Sequence, residues 1–290
     1  MSTQDDIGIG CAAYRADITT SYGYVPSKGA GIAFCVLFGV SMVAHIVQFS
    51  LKRTWWASVF AVGCATELLG WAARTWSSDC PYNSTAFLMQ ISTLIIAPTF
   101  FTAGIYVILG RLIQHFGRES SILSPKLYLW IFCTCDVISL VIQAAGGGLA
   151  SAETDSTPGT HTMVAGIVFQ LASLTAFVLC AVDFLRRATR LGLLKLMARG
   201  PLAMLLGAMV LSTVVIYIRS VYRTVELAQG WHGYLITHES YFVGLDGVLM
   251  VIAVGVFNIC HPGWLLPAGG DGQRHGASVE VKMLNDPEAR

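Results

Sequence analysis

The sequence is divided by long stretches that contain no Asp, Glu, Lys or Arg. Five of them cover residues 29–51, 80–110, 156–182, 200–218 and 247–270. Three more appear when one acid is allowed in each: 54–73 with Glu67, 127–152 with Asp136, and 240–262 with Asp246. The last of these overlaps the stretch 247–270, so the two are counted as one helix. About 20 apolar residues cross about 30 Å of hydrocarbon as a helix. The pattern therefore predicts seven transmembrane helices, at about 29–50, 55–75, 86–110, 127–147, 162–184, 201–221 and 240–261.

The composition agrees with a membrane protein. Charged residues make up only 12% of the 290 residues, about half the share of a soluble domain, and 54% are hydrophobic. The formal net charge of +1 is too small for an electrostatic nucleic-acid binder. We therefore expect an all-α integral membrane protein, a seven-transmembrane helix bundle over residues 29–266, that is not an enzyme and needs no cofactor.

The two terminal segments are more polar than the bundle. Residues 1–28 lack the short basic stretch and apolar core of a cleavable signal peptide, so they are expected to remain as an extracellular tail. Residues 267–290 are rich in Gly and in charges of both signs, and they are expected to form a disordered cytoplasmic tail.

Basic residues in the loops predict the orientation. The loops after predicted helices 1, 3 and 5 carry ten Lys and Arg residues, whereas residues 76–85 and 148–161, after helices 2 and 4, carry none. Because basic residues in short loops favour the cytoplasm, the N-terminus is predicted to lie outside and the C-terminus inside.

Two features fall in the segments predicted to lie outside. Asn83-Ser84-Thr85 is a sequon for N-glycosylation. Cys11 and Cys80 are the only two of the eight cysteines in these segments, and an oxidising compartment would allow a disulfide between them. Two unrelated thiols remain an equal alternative.

Four predicted helices each carry one polar stripe in the half that is predicted to lie toward the outside. The members of the stripes are Glu67, Trp71 and Arg74; Asp136 and Gln143; Arg219, Tyr222, Arg223 and Glu226; and His238, Glu239, Phe242 and Asp246. Their spacings of three, four and seven residues place each stripe on one helix face. An acid within the membrane costs a few kcal/mol, so these residues require a compensating function or partner.

Two interpretations of the stripes remain open. They could be structural contacts, with Glu67 paired to Arg74, Arg223 paired to Glu226, and a neutral Asp136 hydrogen-bonded to a neighbouring helix. Alternatively, they could line a water-accessible cavity, rich in carboxylates and rimmed by arginines, that receives the polar head of an amphipathic ligand. The common depth of the four stripes favours the cavity.

Several phrases of the sequence resemble one known family. They are Tyr22–Ser27, Arg53–Trp56, Glu67–Arg74, Ala97–Phe101, Tyr106–Arg111, Asp136–Gly148, Arg219–Gly230, His238–Glu239, Asp246 and Phe257–Gly263. Over about residues 22–264 the chain looks like the fungal Rta-type family of lipid-translocating exporters. The resemblance implies a seven-helix protein of the plasma membrane, with its N-terminus outside, that confers resistance to toxic amphipaths or moves long-chain bases between leaflets; one branch takes up porphyrins. Ser240 departs from the aromatic residue expected after His238-Glu239.

We therefore expect a transporter or floppase for an amphipathic lipid, similar to a sphingoid long-chain base, or for a toxic small molecule. In this hypothesis four acids could pair with a cationic amine: Glu67, Asp136, Glu239 and Asp246. Arg219 and Arg223 could accept a phosphate or set the ionisation of the acids. The sequence contains no G-x-x-x-x-G-K-[ST] loop, so ATP hydrolysis by this chain is unsupported.

Two other functions remain as alternatives. A seven-helix lipid sensor or receptor has the same topology, and its basic inner loops could dock a cytosolic protein. A membrane-embedded, metal-dependent lipid hydrolase would use His232, His238, Glu239 and Asp246, but it lacks an H-E-x-x-H motif.

Overall fold

The computed structural model describes residues 11–266, except 13, 16, 21, 118–120, 153–156, 191–199 and 231–232. The predicted cytoplasmic tail at 267–290 and three of the basic loop residues, Arg118, Lys195 and Arg199, lie outside the described residues.

Seven helices in the described part of the chain are long and apolar enough to cross a membrane, which confirms the predicted seven-helix fold. They are α1 (Lys28–Lys52), α2 (Ser58–Asp79), α3 (Ser84–Phe116), α4 (Pro125–Ala152), α5 (Thr157–Arg190), α6 (Pro201–Ala228) and α7 (Glu239–Ile259). A 3-10 turn at Trp55–Ala57 leads into α2, and a short helix α8 (Pro262–Leu265) follows α7.

Most helices extend beyond the uncharged stretches that predict them. α3 reaches Phe116, α5 reaches Arg190 and α6 reaches Ala228, so these three span 33, 34 and 28 residues. Their ends carry long polar side chains, which can lie along a helix while their charges reach water. A boundary set by charge alone therefore ends a membrane helix too early.

Ion pairs and cation–π contacts define the two ends of the bundle. At one end Lys28, which begins α1, binds Asp79, which ends α2, at 2.9 Å; we call this the Asp79 end. At the other end the Lys52 ammonium lies 3.9 Å from the ring centroid of Trp264 in α8; we call this the Lys52 end. α7 therefore begins at the Asp79 end, where Glu239 accepts a hydrogen bond from the backbone N–H of Ser27.

α4 and α5 approach each other closely. A Cβ at Gly146 would collide with the backbone of Met163, and a Cβ at Gly159 would collide with that of Ala150. The absence of side chains at these two glycines lets the helices pack backbone to backbone, as in many membrane helix pairs. The prediction that α4 ends at about residue 147 was wrong, because the helix passes through Gly146–Gly148 to Ala152.

α7 is not a regular α-helix. Residues Val243–Val248 form a π-helical segment, and Asp246 lies within it. Such segments add residues to a turn and are frequent at functional sites. The π segment places Asp246 against α6 and the start of the helix against α2.

Candidate functional site

Two arginines of α6 and an acid of α7 form a buried ion-pair cluster. The Nε atoms of Arg219 and Arg223 lie 2.7 and 2.9 Å from Oδ1 of Asp246, and Nη2 of Arg223 donates to Oδ2 at 3.2 Å. Glu226 accepts hydrogen bonds from Nη1 of Arg223 at 2.8 Å and from the hydroxyl of Tyr222 at 2.7 Å. All of these side chains are at most 8% exposed, so the charges are compensated inside the bundle.

A second ion pair lies next to this cluster, nearer the Asp79 end. Nη2 of Arg74 donates to Glu239 and to the hydroxyl of Tyr24, both at 2.8 Å. The ring of Phe242 lies next to both pairs, with the guanidinium carbons of Arg74 and Arg223 at 4.4 and 5.0 Å from its centroid. The aromatic ring thus stabilises both cations through cation–π contacts.

Glu67 differs from the other acids of the site. Its side chain is fully buried, and neither carboxyl oxygen has a hydrogen-bond partner among the described residues. It interacts electrostatically with Asp246, Arg219 and Arg223, and the indole N–H of Trp71 lies beside it without regular hydrogen-bond geometry. Glu67 is therefore a third carboxyl group facing two arginines that are already neutralised.

The structure does not bring all predicted site residues together. Asp136 accepts hydrogen bonds at 3.2 Å from the hydroxyls of Thr102 and Tyr106, so it joins α4 to α3 apart from the ion pairs. His238 is exposed and packs on Tyr234, with ring centroids 4.0 Å apart.

The residues of the metal-hydrolase alternative do not converge on one site. His238 lies at the surface, and Glu239 is bound by Arg74. In the described ranges, no three His, Cys, Asp or Glu residues are grouped to hold a metal. His232 lies outside those ranges.

A large, mostly apolar cavity lies beside the ion pairs, with a volume of about 920 Å³. α3 and α4 form most of its wall, and Thr19, Thr20 and Gly23 of the N-terminal segment cover part of it. Leu88 of α3 and Val141 of α4 line it while remaining 40% and 63% exposed, so this wall also faces the surrounding membrane. The volume is within the range of ligand-binding cavities.

A void of about 20 Å³ lies between residues of the large cavity wall and the arginines. Arg219, Arg223 and Gln170 line it, and Ile95 and Gln143 line both it and the large cavity. It has room for about one water molecule. The Nε2 of Gln143 donates to Ser139 at 2.6 Å and to Gln170 at 3.1 Å, while its Oε1 has no partner in the part of the chain that the structure describes.

The predicted carboxylate-rich cavity is therefore not the one that the structure contains. Of the predicted ligand-binding residues, only Gln143 lines the large cavity, and Arg219 and Arg223 line the small void next to it. Asp246 and Glu226 lie bonded to the arginines, because burial of an acid without a cation would be costly. The structure contains the pair of Arg223 with Glu226 and the hydrogen bonds of Asp136 to a neighbouring helix, but Arg74 pairs with Glu239 instead of Glu67.

The N-terminal segment is attached to the Asp79 end by side-chain contacts. The structure contains a disulfide between Cys11 and Cys80. The hydroxyl of Tyr22 donates to Gln90 at 2.7 Å and bonds Ser77 at 2.9 Å. Burial raises the pKa of Tyr22 to about 12, and burial also raises the pKa of Tyr24.

The predicted glycosylation site is poorly accessible in this fold. Asn83 is 8% exposed, and its side-chain oxygen caps α3 by accepting from the backbone N–H of Ala86 at 3.0 Å. Glycosylation requires an accessible amide, so this conformation argues against a glycan on Asn83, and the modification stays a prediction.

Sequence reasoning did not assign roles to three aromatic partners of the site. Tyr24 binds Arg74, Tyr222 binds Glu226, and Phe242 lies next to both ion pairs. The helical spacing places Tyr222 on the stripe of Arg219 and Phe242 on the stripe of Glu239, but it does not indicate the contacts that they make. The contact of Tyr24 depends on the path of the N-terminal segment, for which no periodicity gives a signal.

Comparisons with known proteins are consistent with this architecture. The family model described as RTA1 like protein matches residues 60–269. This chain belongs to the RTA1-like family. The matched range includes α2, which carries Glu67 and Arg74, and α6 and α7, which carry the ion-pair cluster.

Three relatives from Saccharomyces cerevisiae cover most of the chain. The sphingoid long-chain base transporter RSB1 is 34% identical in an alignment 279 positions long that covers 83% of this chain and 73% of the relative. Protein RTA1 is 30% identical in an alignment of 267 positions that covers 83% of this chain and 84% of the relative. Protoporphyrin uptake protein 1 is 30% identical in an alignment of 274 positions that covers 82% of this chain and 90% of the relative. No solved structure matches this fold.

Proposed function

We propose that the protein is a multi-pass transporter of the plasma membrane that moves an amphipathic lipid, of the sphingoid long-chain base type, or a toxic small molecule, between the leaflets. The observation that carries the proposal is the large apolar cavity, whose wall residues Ile95 and Gln143 also line a water-sized void against two buried arginines. The names of relatives as a sphingoid long-chain base transporter and a protoporphyrin uptake protein support an amphipathic cargo.

The apolar tail of the lipid would enter the large cavity from the membrane. Leu88 and Val141 offer an apolar route, since each faces both the cavity and the surroundings of the bundle. Gly147, Gly148 and Ala144 widen the cavity on the α4 side because their side chains are absent or small. An alkyl chain passing from lipid to this wall would exchange one apolar environment for another at little cost.

The polar head of the lipid would approach Gln143. The free Oε1 of this amide can accept a hydrogen bond from a hydroxyl or an ammonium group. Behind it, Arg219 and Arg223 can donate to hydroxyl, phosphate or carboxylate oxygens. A head group with both donors and acceptors, such as that of an amino alcohol, would match the acceptor on Gln143 and the donors on the two arginines behind it.

The sidedness of transport follows from the predicted orientation. With the N-terminus outside, the Asp79 end and the cavity would lie in the outer half of the membrane. Release through the N-terminal segment would then deliver the lipid to the outer leaflet or the medium, which would confer resistance to a toxic amphipath.

A translocation assay in proteoliposomes tests the proposal. Fluorescent long-chain bases, phospholipids and sterol amines are offered, and their movement between leaflets is followed by quenching from one side. Ala144→Phe fills the cavity and is expected to slow translocation at least about tenfold, equivalent to about 1.4 kcal/mol. Val40→Phe is the control, because Val40 is 66% exposed on α1 and does not line the cavity.

The same assay separates the transporter from the sensor. Absence of movement for every lipid by the folded protein would refute transport, and ligand-dependent capture of a cytosolic protein would then support the sensor. Equal rates for Ala144→Phe and Val40→Phe would show that the cavity is not the route.

A further inference from the structure

A second group of polar side chains lies nearer the Lys52 end, between α1 and the end of α7. Ser41, His45 and Gln48 follow one another at spacings of four and three on one face of α1. Asn258 donates to the Ser41 hydroxyl at 2.6 Å, and the Nε2 of Gln48 donates to the carbonyl of Asn258 at 2.7 Å. The rings of His45 and His261 lie 6.1 Å apart. We call these five residues the α1–α7 polar seam.

The seam contains polar atoms whose hydrogen-bonding capacity is unused. Within the described ranges, these buried atoms have no hydrogen-bond partner: both ring nitrogens of His45, Nε2 of His261, Oε1 of Gln48 and Oδ1 of Asn258. Thr54 Oγ1 and Trp56 Nε1, also without partners, lie toward the Lys52 end. Buried polar atoms without protein partners are normally bound by water, because leaving each of them unsatisfied costs about 1–3 kcal/mol. The seam therefore has the chemistry of a hydrated channel.

The seam leads to Glu67. Ser41 accepts a hydrogen bond from the thiol of Cys64 on α2 at 3.5 Å. Cys64 precedes Glu67 by three residues, so the two side chains share a face of α2, and they interact electrostatically. Both oxygens of Glu67 are without partners in the part of the chain that the structure describes. Unpartnered atoms therefore occur at His45 and at Glu67, and the hydrogen-bonded pair of Ser41 and Cys64 lies between them along the two helices.

We infer that the α1–α7 polar seam is a water-filled proton path that connects the Lys52 end of the bundle to Glu67. A proton from water protonates His45 and then passes through water near Ser41 to the carboxylate of Glu67; His45 returns to neutral imidazole and Glu67 becomes a neutral carboxyl group. His45 suits this role because an imidazole ring can accept a proton on one nitrogen and release a proton from the other. The inference rests on the proposed function, since the path would couple lipid movement to protons.

The neighbours of Glu67 explain why its proton would matter. Asp246 of α7 faces it with Arg219 and Arg223 of α6, and Cys64 is the thiol nearest along α2. When ionised, Glu67 competes with Asp246 for the arginines; when protonated, it does not. Because Arg219 and Arg223 also line the void behind Gln143, the proton on Glu67 would change how strongly they bind a lipid head group.

Simultaneous measurement of proton and lipid flux tests the inference. Proteoliposomes contain a pH-sensitive dye, and translocation of a fluorescent long-chain base is started by a pH step. His45→Phe keeps an aromatic ring next to Phe60, whose centroid lies 5.4 Å from that of His45, but removes both exchangeable nitrogens. His45→Gln keeps hydrogen bonding and serves if the first variant does not fold. His161→Phe, on an exposed histidine of α5, is the control.

The expected result is a proton flux that is at least about tenfold lower in the His45 variants than in His161→Phe, with a parallel loss of pH-driven lipid movement. Lipid movement without proton flux in the unmodified protein would overturn the path and leave the proposed function intact. Proton flux without lipid movement would support the path and refute transport. Equal proton flux in the His45 and His161 variants would overturn the inference.

Discussion

Replacement of Asp246 by asparagine tests the ion-pair cluster most directly. The substitution keeps the size of the side chain but removes the charge that binds Nε of Arg219 at 2.7 Å and Nε of Arg223 at 2.9 Å. Both guanidinium groups are at most 8% exposed, and the void beside them has room for about one water molecule, so bulk water does not replace the lost partner. The variant therefore leaves buried positive charge, and among the described residues Glu226 is the acid that still pairs with Arg223.

The expected loss of stability follows from burial. Breaking a buried ion pair by removing one partner costs about 3–5 kcal/mol, and the remaining amide oxygen of asparagine places this case near about 3 kcal/mol. Asp183→Asn is the matched control, because Asp183 and Arg187 form a pair one turn apart on α5 at 2.7 Å that is 32% and 43% exposed. Pairs of that kind contribute about 0.3–0.5 kcal/mol.

Glu67 gives a second readout of the same cluster. Glu67→Gln alone removes an unpartnered carboxyl group, so we expect its effect on stability to be small. In Asp246→Asn, Glu67 can take over part of the role of the lost charge. The double variant should therefore be less stable than the sum of the single effects predicts, by about 0.5–3 kcal/mol, as for residues in one ion-pair network.

Reversible unfolding in mixed micelles of a mild and a denaturing detergent, followed by far-ultraviolet circular dichroism, measures these differences. An Asp246→Asn variant within about 0.5 kcal/mol of Asp183→Asn would show that the buried cluster is absent or that water enters it freely. Additive effects of the Asp246 and Glu67 substitutions would show that the two acids do not share the arginines.

Two further predictions concern packing and pH. Gly146→Ala should destabilise the protein by about 1–3 kcal/mol, because the added methyl group would collide with the α5 backbone. Gly148→Ala is the control: its methyl group would have no atom within 4 Å, so the stability of the protein should be unchanged or slightly higher. Equal effects of the two substitutions in the same unfolding assay would contradict the close approach of α4 and α5. Burial raises the pKa of Tyr22 from 10.0 to about 12 in the folded protein. As the pH rises, the unfolded chain therefore loses the Tyr22 proton at a lower pH than the folded protein does. The free energy of unfolding should fall between pH 10 and pH 12 by up to about 1.4 kcal/mol per pH unit. Tyr22→Phe should reduce that slope, and an unchanged slope would show that the Tyr22 hydroxyl is not buried.

The number of helices could be predicted from the sequence because the bilayer imposes a minimum length on each apolar stretch. The polar stripes could be predicted as well, since helical spacing places Arg219, Arg223 and Glu226 on one face. The partners across helices could not. Arg74 lies seven residues from Glu67 on α2, but Glu239 of α7 and Tyr24 of the N-terminal segment bind it instead. Only packing between distant segments decides such a choice.

The cavity was misplaced in the sequence-based interpretation for a related physical reason. The common depth of the polar residues predicts that they line a water-filled space, yet Asp246 and Glu226 are bonded to arginines and do not line the large cavity. In a low-dielectric medium, acids and bases at one depth are stabilised most by pairing with one another. Paired side chains lie in direct contact, so no cavity remains between them. Open volume then remains where opposing side chains are small and apolar, as at Gly147 and Gly148 of α4.

The π segment of α7 joins these two parts of the site. With a regular α-helical period, Glu239 and Asp246 would lie on one face, seven residues apart, and would face the same partner. The extra residue of the π turn changes that alignment, so that Glu239 binds Arg74 while Asp246 binds the arginines of α6, with Phe242 next to both pairs. A return of Val243–Val248 to α-helical geometry would rotate Asp246 relative to Glu239 and weaken one pair or the other. The π turn thus decides which cation each of the two acids of α7 binds, beside the void that Arg219 and Arg223 line.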